Sequence, residues 1–340
     1  MRNSGVAVAR GRAARWLLLG AGVWSATLTG CGGADATGPK AAAPDDASLL
    51  ADDAPATHQR PEFEQGMAAI RAEKFEDARV QFEKVVEAEP RNAQAVFYLG
   101  VAQQSLGSLS AARSSYEKAI ELSPQLADAW VNLTATLLDA GEAAAAVPVI
   151  ERGLAKHPKH PGLLYNRALA LSAQRQVQEA VPAFRSALEA DPSNVEIKFG
   201  YAEALILAGS KDQGLKLLSD LAQSDNPEVL ASTGSLLGRL EQFDTCISVF
   251  SKAIERTPAA ELYVQRGLCQ HGKKDDAAAF IDFQKAVEVD AKYAPGHYYS
   301  GMHLRMQGKK AEAKRALSRA VEIAGDQGVG RAAKRALEGL

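Results

Sequence analysis

Pro90, Pro124, Pro158 and Pro192 stand 34 residues apart, and the residues ahead of them keep step. Twelve before each proline is a small residue (Ala78, Ala112, Ala146, Ala180), and eight before it a bulky one (Phe82, Tyr116, Ile150, Phe184). Five before it come Val85, Ala119, Gly153 and Ala187. Numbering each copy from residues 59, 93, 127 and 161 places Gly66, Gly100, Thr134 and Ala168 at position 8. A period of this length confines the chain to a repeat array, in which each copy is one supersecondary unit and neighbours must stack to bury its apolar face. Small residues at positions 8 and 20 let two helix backbones approach within a unit. The large residue at position 24 is expected to fill the gap to the next unit. Proline at position 32 ends the second helix, because it has no N–H and restrains the residue before it.

The array runs on with irregularities. A fifth unit, Val195–Asn226, is shorter by two residues and has Gly214 at the small position. A sixth, Pro227–Ala259, carries Gly234, Cys246, Phe250, Ala253 and Pro258 in register. A seventh, Ala260–Tyr293, has Gly267, Ala279, Phe283 and Ala286, and an eighth, Ala294–Gln327, has Gly301, Ala313, Leu317 and Ala320. This pattern resembles the tetratricopeptide repeat, most closely over Ala93–Gln125. The resemblance implies an all-α fold: a right-handed α-solenoid of about eight helix–turn–helix units over residues 59–327. Ala333, Ala336, Leu337 and Leu340 follow at helical spacing, so residues 328–340 are expected to form a helix that caps the last unit.

The front of the chain reads as a targeting segment. Arg2, Arg10, Arg12 and Arg15 precede an apolar run from Trp16 to Thr29, with no acidic residue before Asp35. A basic start, an apolar stretch too short to span a bilayer and a boundary of small residues describe a secretory signal. Leu28-Thr29-Gly30-Cys31 resembles the bacterial lipobox, which implies that residues 1–30 are removed and Cys31 becomes an acylated (palmitate-bearing) N-terminus. Two or more acyl chains anchor a protein stably where one does not. Residues 31–58, with Pro39, Pro44, Pro55 and five Asp, have too little apolar surface to repay ordering and read as a flexible tether. Gly32 directly after the cysteine resembles the pattern of lipoproteins sorted to the outer membrane.

Composition narrows the function. The 340-residue chain has 39 Lys+Arg against 41 Asp+Glu, a net charge of −2, which is not the basic footprint of a nucleic-acid binder. The three cysteines show no zinc spacing, so no metal or cofactor is expected. Gly267 to Lys274 reads G-x-x-x-x-G-K-K. It lacks the hydroxyl that a nucleotide-binding loop places last, and both glycines have repeat roles, Gly267 at position 8 and Gly272 at the inter-helix turn. His157-Pro-Lys-His160 reads as a solvated loop between units. No nucleophile–base pair or metal-protease motif is present, and the chain is read as a non-enzyme. Cys246 and Cys269 fall on neighbouring helices at packing positions, where a disulfide and two buried thiols are both compatible with the spacing.

The family resemblance also implies where a partner binds. The first helix of each unit (helix A) lines an inner groove through positions 2, 5, 6, 9, 12 and 13. The candidate groove residues are Phe97, Tyr98, Asn132, Tyr165, Asn166, Phe199, Tyr298 and Tyr299, with Glu203 beside them. Asn at position 6 in two consecutive units implies hydrogen bonding to a bound peptide backbone, and the aromatics imply pockets for a segment. The chaperone-tail version of the groove is absent. Phe97 and Val101 replace its first lysine and asparagine, and Glu196 and Gly200 stand where basic residues are required. The expectation is a periplasm-facing, membrane-anchored interaction scaffold for an envelope complex. In plan it is similar to the pilotin lipoproteins that escort secretins in type IV pilus assembly. An accessory binding subunit of an envelope enzyme or polysaccharide-assembly complex is the alternative. Trp130 is the one tryptophan after residue 30, at a packing position, and favours the first.

Overall fold

A computed structural model of the chain describes residues 60–326 and 328–340. The leader 1–30, Cys31 and the tether 31–58 lie outside the described residues. Seventeen α-helices account for nearly all that is described, without a strand. The chain divides into two compact units, residues 60–211 and 212–340 of those described.

The first unit contains α1 (Pro61–Arg71), α2 (Phe75–Ala88), α3 (Ala93–Ser105), α4 (Leu109–Leu122), α5 (Ala127–Asp139), α6 (Ala143–Lys156), α7 (Pro161–Ala173), α8 (Val177–Ala190) and α9 (Val195–Leu207). After α10 (Lys211–Leu221), the second holds α11 (Pro227–Arg239), α12 (Phe243–Arg256), α13 (Ala260–Gly272), α14 (Asp276–Val289), α15 (Ala294–Met306), α16 (Lys310–Ala324) and α17 (Gly328–Glu338). From α1 to α9 and from α11 to α17, helices pack as hairpins, and each hairpin's second helix packs on the first helix of the next. Helices A also touch one another, α3 to α5 to α7 to α9 in the first unit and α11 to α13 to α15 in the second.

The two helix types differ because they meet different surroundings. Helix α5 buries every residue from Ala129 to Leu137 and α3 every residue from Ala95 to Ala102, since helices lie on several sides of each. Helices B face solvent on one side and show a single stripe: α2 buries Ala78, Phe82 and Val85, and α4 Ala112, Tyr116, Ala119 and Ile120. The second helices stop at Ala88, Leu122, Lys156, Ala190 and Arg256, two residues before the repeating proline, because the intervening residue, with φ between −130° and −147°, has left the helical region. Asn92 and Asn194 begin α3 and α9 by accepting from Ala95 N and Ile197 N, each at 3.0 Å.

The position-24 ring has a role in its own hairpin that spacing did not reveal. A Cβ added at Gly66, Gly100, Gly234 or Gly267 would lie within 2.9 Å of the ring at position 24 of the same unit (Phe82, Tyr116, Phe250, Phe283). The glycine is therefore a slot for that ring. The ring also reaches the following unit: Phe82 stacks on Tyr98 at 5.5 Å and Phe283 on Tyr299 at 5.3 Å. In each case one aromatic residue joins two hairpins.

Every hairpin turns the same way. Position 15 has positive φ in all eight units, as Glu73, Gly107, Gly141, Arg175, Gly209, Glu241, Lys274 and Gly308. Gly272, expected at the turn, is instead the last residue of α13, where a side chain would run into the Phe243 ring; the turn belongs to Lys274. The capping helix forms as expected at α17, which packs Val329, Ala333 and Ala336 into the core shared with α15 and α16.

Candidate functional site

The helix-A layer of the first unit holds most of the candidate groove residues, and their exposure divides them. Phe97, Tyr98, Asn132 and Asn166 are buried, and so are Tyr298 and Tyr299 of the second unit; Tyr165 and Phe199 are half-buried. The tyrosines at position 6 are interior because they stack on the preceding unit's position-24 ring. Asn166 donates its amide to Val131 O at 3.0 Å and to Thr134 Oγ1 at 2.7 Å, holding α7 to α5. Position 8 of that unit is Thr134 instead of glycine, and its hydroxyl supplies the acceptor. Asn132 has 0% exposure, and its side chain meets the buried Tyr116 hydroxyl. The neighbouring Tyr116 hydroxyl donates to Gln104 Oε1 at 2.6 Å.

Two glutamates lie near the half-buried rings. Glu196, Phe199 and Glu203 fall at i, i+3 and i+7 on α9. Burial raises the Tyr165 hydroxyl pKa, and the charges of Glu196 and Glu203 raise it further, so the three groups share one locality. On α5, Asp128, Asn132 and Asp139 lie on one stripe at i, i+4 and i+11. Burial pushes the Asp139 carboxyl up to about 6, and its Oδ1 is buried without a partner. Across positions 2, 5, 6, 9, 12 and 13 of α3, α5, α7 and α9 there is no Lys, Arg or His. Arg167 of α7 turns to Glu151 of α6 at 3.2 Å.

Other marked residues have structural duties. Trp130 is buried, its Nε1 donating to Pro124 O at 2.9 Å with the Arg152 guanidinium 5.2 Å from the ring. Gly267 receives Phe283 and Lys273 pairs with Asp244 at 2.6 Å, so the G-x-x-x-x-G-K-K stretch is helix, turn and ion pair, with no phosphate cradle. His157 and His160 lie in the α6–α7 loop with ring centroids 6.4 Å apart. Among the described residues no group of three or more His, Cys, Asp or Glu is placed to hold a metal, and no helix is long and apolar enough to cross a membrane. Cys246 of α12 and Cys269 of α13 form a disulfide, with Cα atoms 6.2 Å apart. Both are buried, and both sulfurs lie 3.3 Å from where a Cβ would stand on Gly238 of α11. An Arg266–Asp282 pair with a buried carboxylate and two contacts of 2.7 Å joins α13 to α14 nearby.

Stacked helical hairpins of fixed period define the chain as an all-α repeat solenoid. Family models described as tetratricopeptide repeat match residues 63–127 and 136–194, 171–234, and 260–293, together more than half of the chain. The chain belongs to the tetratricopeptide-repeat family. Human tetratricopeptide repeat protein 13 is 30% identical over 105 residues, a match covering 30% of this chain and 12% of that protein. The crystal structure of yeast Tom70 superposes with a TM-score of 0.59 at 17% identity, over 85% of this chain and 65% of that one. A crystal structure of MamA protein matches 48% of this chain and 88% of its own at 20% identity, with a TM-score of 0.42. The chain thus spans less than two thirds of the curated relative and of the Tom70 structure, and the likeness to the solved structures is one of fold.

Proposed function

We propose that the chain is a lipid-anchored scaffold of the bacterial envelope, tethered through Cys31 to the outer membrane and presenting its helix-A layer to a protein partner in the periplasm. The observation that carries the binding part is the pair of half-buried rings, Tyr165 and Phe199, set among carboxylates on adjacent helices of a repeat array. Compartment is supported separately by the Cys246–Cys269 disulfide, since such bonds persist where thiols are not kept reduced. Assembly of a pilus or secretin complex is one process that needs a part of this kind.

Two measurements test the proposal. Metabolic labelling with a fatty-acid analogue should mark the chain and not its Cys31→Ala variant; an unlabelled chain ends the anchoring reading. A photo-crosslinking residue at Phe199 should trap a discrete envelope protein, while one at Glu179, exposed on α8, should not. Equal trapping at both positions, or none at Phe199, rejects the helix-A layer as the binding surface.

A further inference from the structure

We infer that the C-terminal corner of the second unit is a contact surface for a bilayer of anionic lipid, with Met306 entering the interface among lysines that meet the headgroups. The charge of the chain is unevenly placed. Residues 305–340 carry nine Lys or Arg and four Asp or Glu, net +5, whereas residues 59–304 carry 25 and 32, net −7. Two contacts set the turn between α15 and α16 against the end of α17: Arg305 Nη1 donates to Ala336 O at 3.3 Å, and Lys310 Nζ donates to Leu340 O at 3.0 Å. On these elements Lys309, Lys314, Arg315 and Arg335 are exposed, and none forms an ion pair among the described residues. Arg319 and Lys334 are already matched, by Glu322 at 2.7 Å and by Asp326, and Glu312 and Glu338 are the remaining carboxylates. A second observation points to the ligand. Met306 is 64% exposed, the most open large apolar side chain among the described residues, and it stands at this same turn, three and four residues before Lys309 and Lys310. An apolar tip beside long cationic side chains fits a membrane surface: the thioether enters the headgroup boundary while the ammonium groups stay at the level of the phosphates. An acidic protein segment would satisfy the cations alone. A bilayer satisfies both, and it needs no pocket, because each charge meets its own headgroups. This contact is separate from acylation at Cys31 and does not depend on it.

The test uses the chain from Gly32 onward, which keeps every described residue and carries neither leader nor acyl group. Vesicles of phosphatidylcholine, alone or with about a third phosphatidylglycerol, are read by co-flotation. The mixed vesicles should bind at least about a hundredfold more tightly than the neutral ones at low salt, about fivefold for each of several cations. Combining Lys309→Gln, Lys314→Gln and Arg315→Gln should remove most of that gain. A control set of exposed lysines on α2, α4 and α6, Lys84→Gln with Lys118→Gln and Lys156→Gln, should leave it intact. Met306→Ser should weaken binding about three- to tenfold at low and high salt alike, since burial of an apolar group is not screened. Equal loss in the control set would reduce the effect to bulk charge and overturn the inference, as would equal binding to both vesicles or binding to neither. An unaffected Met306→Ser variant would overturn the lipid assignment. So would tighter capture of a labelled polyglutamate peptide than of mixed vesicles, which would give the corner to an acidic protein segment. Fatty-acid labelling at Cys31 reports on the anchor alone, so either membrane contact can fail while the other stands.

Discussion

At the scale of single residues, two kinds of position hold uncollected stability. Left-handed backbone costs a side chain about 1–2 kcal/mol that glycine avoids, and Glu73, Arg175, Glu241 and Lys274 sit at φ of 57° to 68°. Replacing Arg175 or Glu241 with glycine should raise the unfolding midpoint, each by about 0.5–1 kcal/mol once the greater freedom of the unfolded chain is deducted. The reverse applies at the slots. Gly100→Ala would set a Cβ 2.7 Å from the Tyr116 ring and should cost about 1–3 kcal/mol, read by denaturant titration. The second kind is Asp139. Its folded pKa, raised by burial to about 6, exceeds the ordinary 3.8, so the fold binds the proton more tightly than the unfolded chain does. The resulting destabilisation is absent below about pH 4, grows between 4 and 6, and is complete above 6. Asp139→Asn should therefore stabilise the protein at pH 7.5 by on the order of 2 kcal/mol and change nothing at pH 4, as measured by thermal melts.

Among the helices, the disulfide is the strongest single link. It closes a sequence separation of 23 residues across α12 and α13, a loop for which reduction removes about 3 kcal/mol of stability in the chain-entropy account. Denaturant melts with and without reductant should differ by that amount, and thiol titration of the unreduced, unfolded protein should find neither Cys246 nor Cys269 free. The helices were the legible part of the sequence. Prolines at fixed spacing gave their ends, and small residues at positions 8 and 20 gave their close pairing. Less legible was which helix-A side chains stay open. Tyr98 is closed by Phe82, and Asn166 by a threonine 32 residues earlier, contacts that depend on which residues stand at positions 24 and 8 of the preceding hairpin. Tyr165 and Phe199 keep part of their surface open at the same inward positions, and no local pattern separates them from Phe97 or Tyr298. The charge of the layer was readable residue by residue, yet the unmet oxygen of Asp139 needed coordinates. The cysteines were on neighbouring helices by register, and only geometry decided that they pair.

For the array as a whole, stability accumulates from neighbour to neighbour, so an end without its cover frays inward. Truncation after Asp326 would strip Val329, Ala333 and Ala336 from the core shared with α15 and α16. Hydrogen exchange should then accelerate most in those two helices and progressively less back toward α11. Equal acceleration throughout, or none, would mean that α17 is no cap. The eight left-handed turns carry a different consequence. At Gly107, Gly141, Gly209 and Gly308 nothing stands within 4 Å of where a side chain would begin. Each of these four turns thus has a vacant corner, where added chain meets no packing partner. Dyes, affinity handles or whole inserted domains grafted at those corners would ride along without disturbing the stack. They make the protein a ready ruler for locating whatever docks on it.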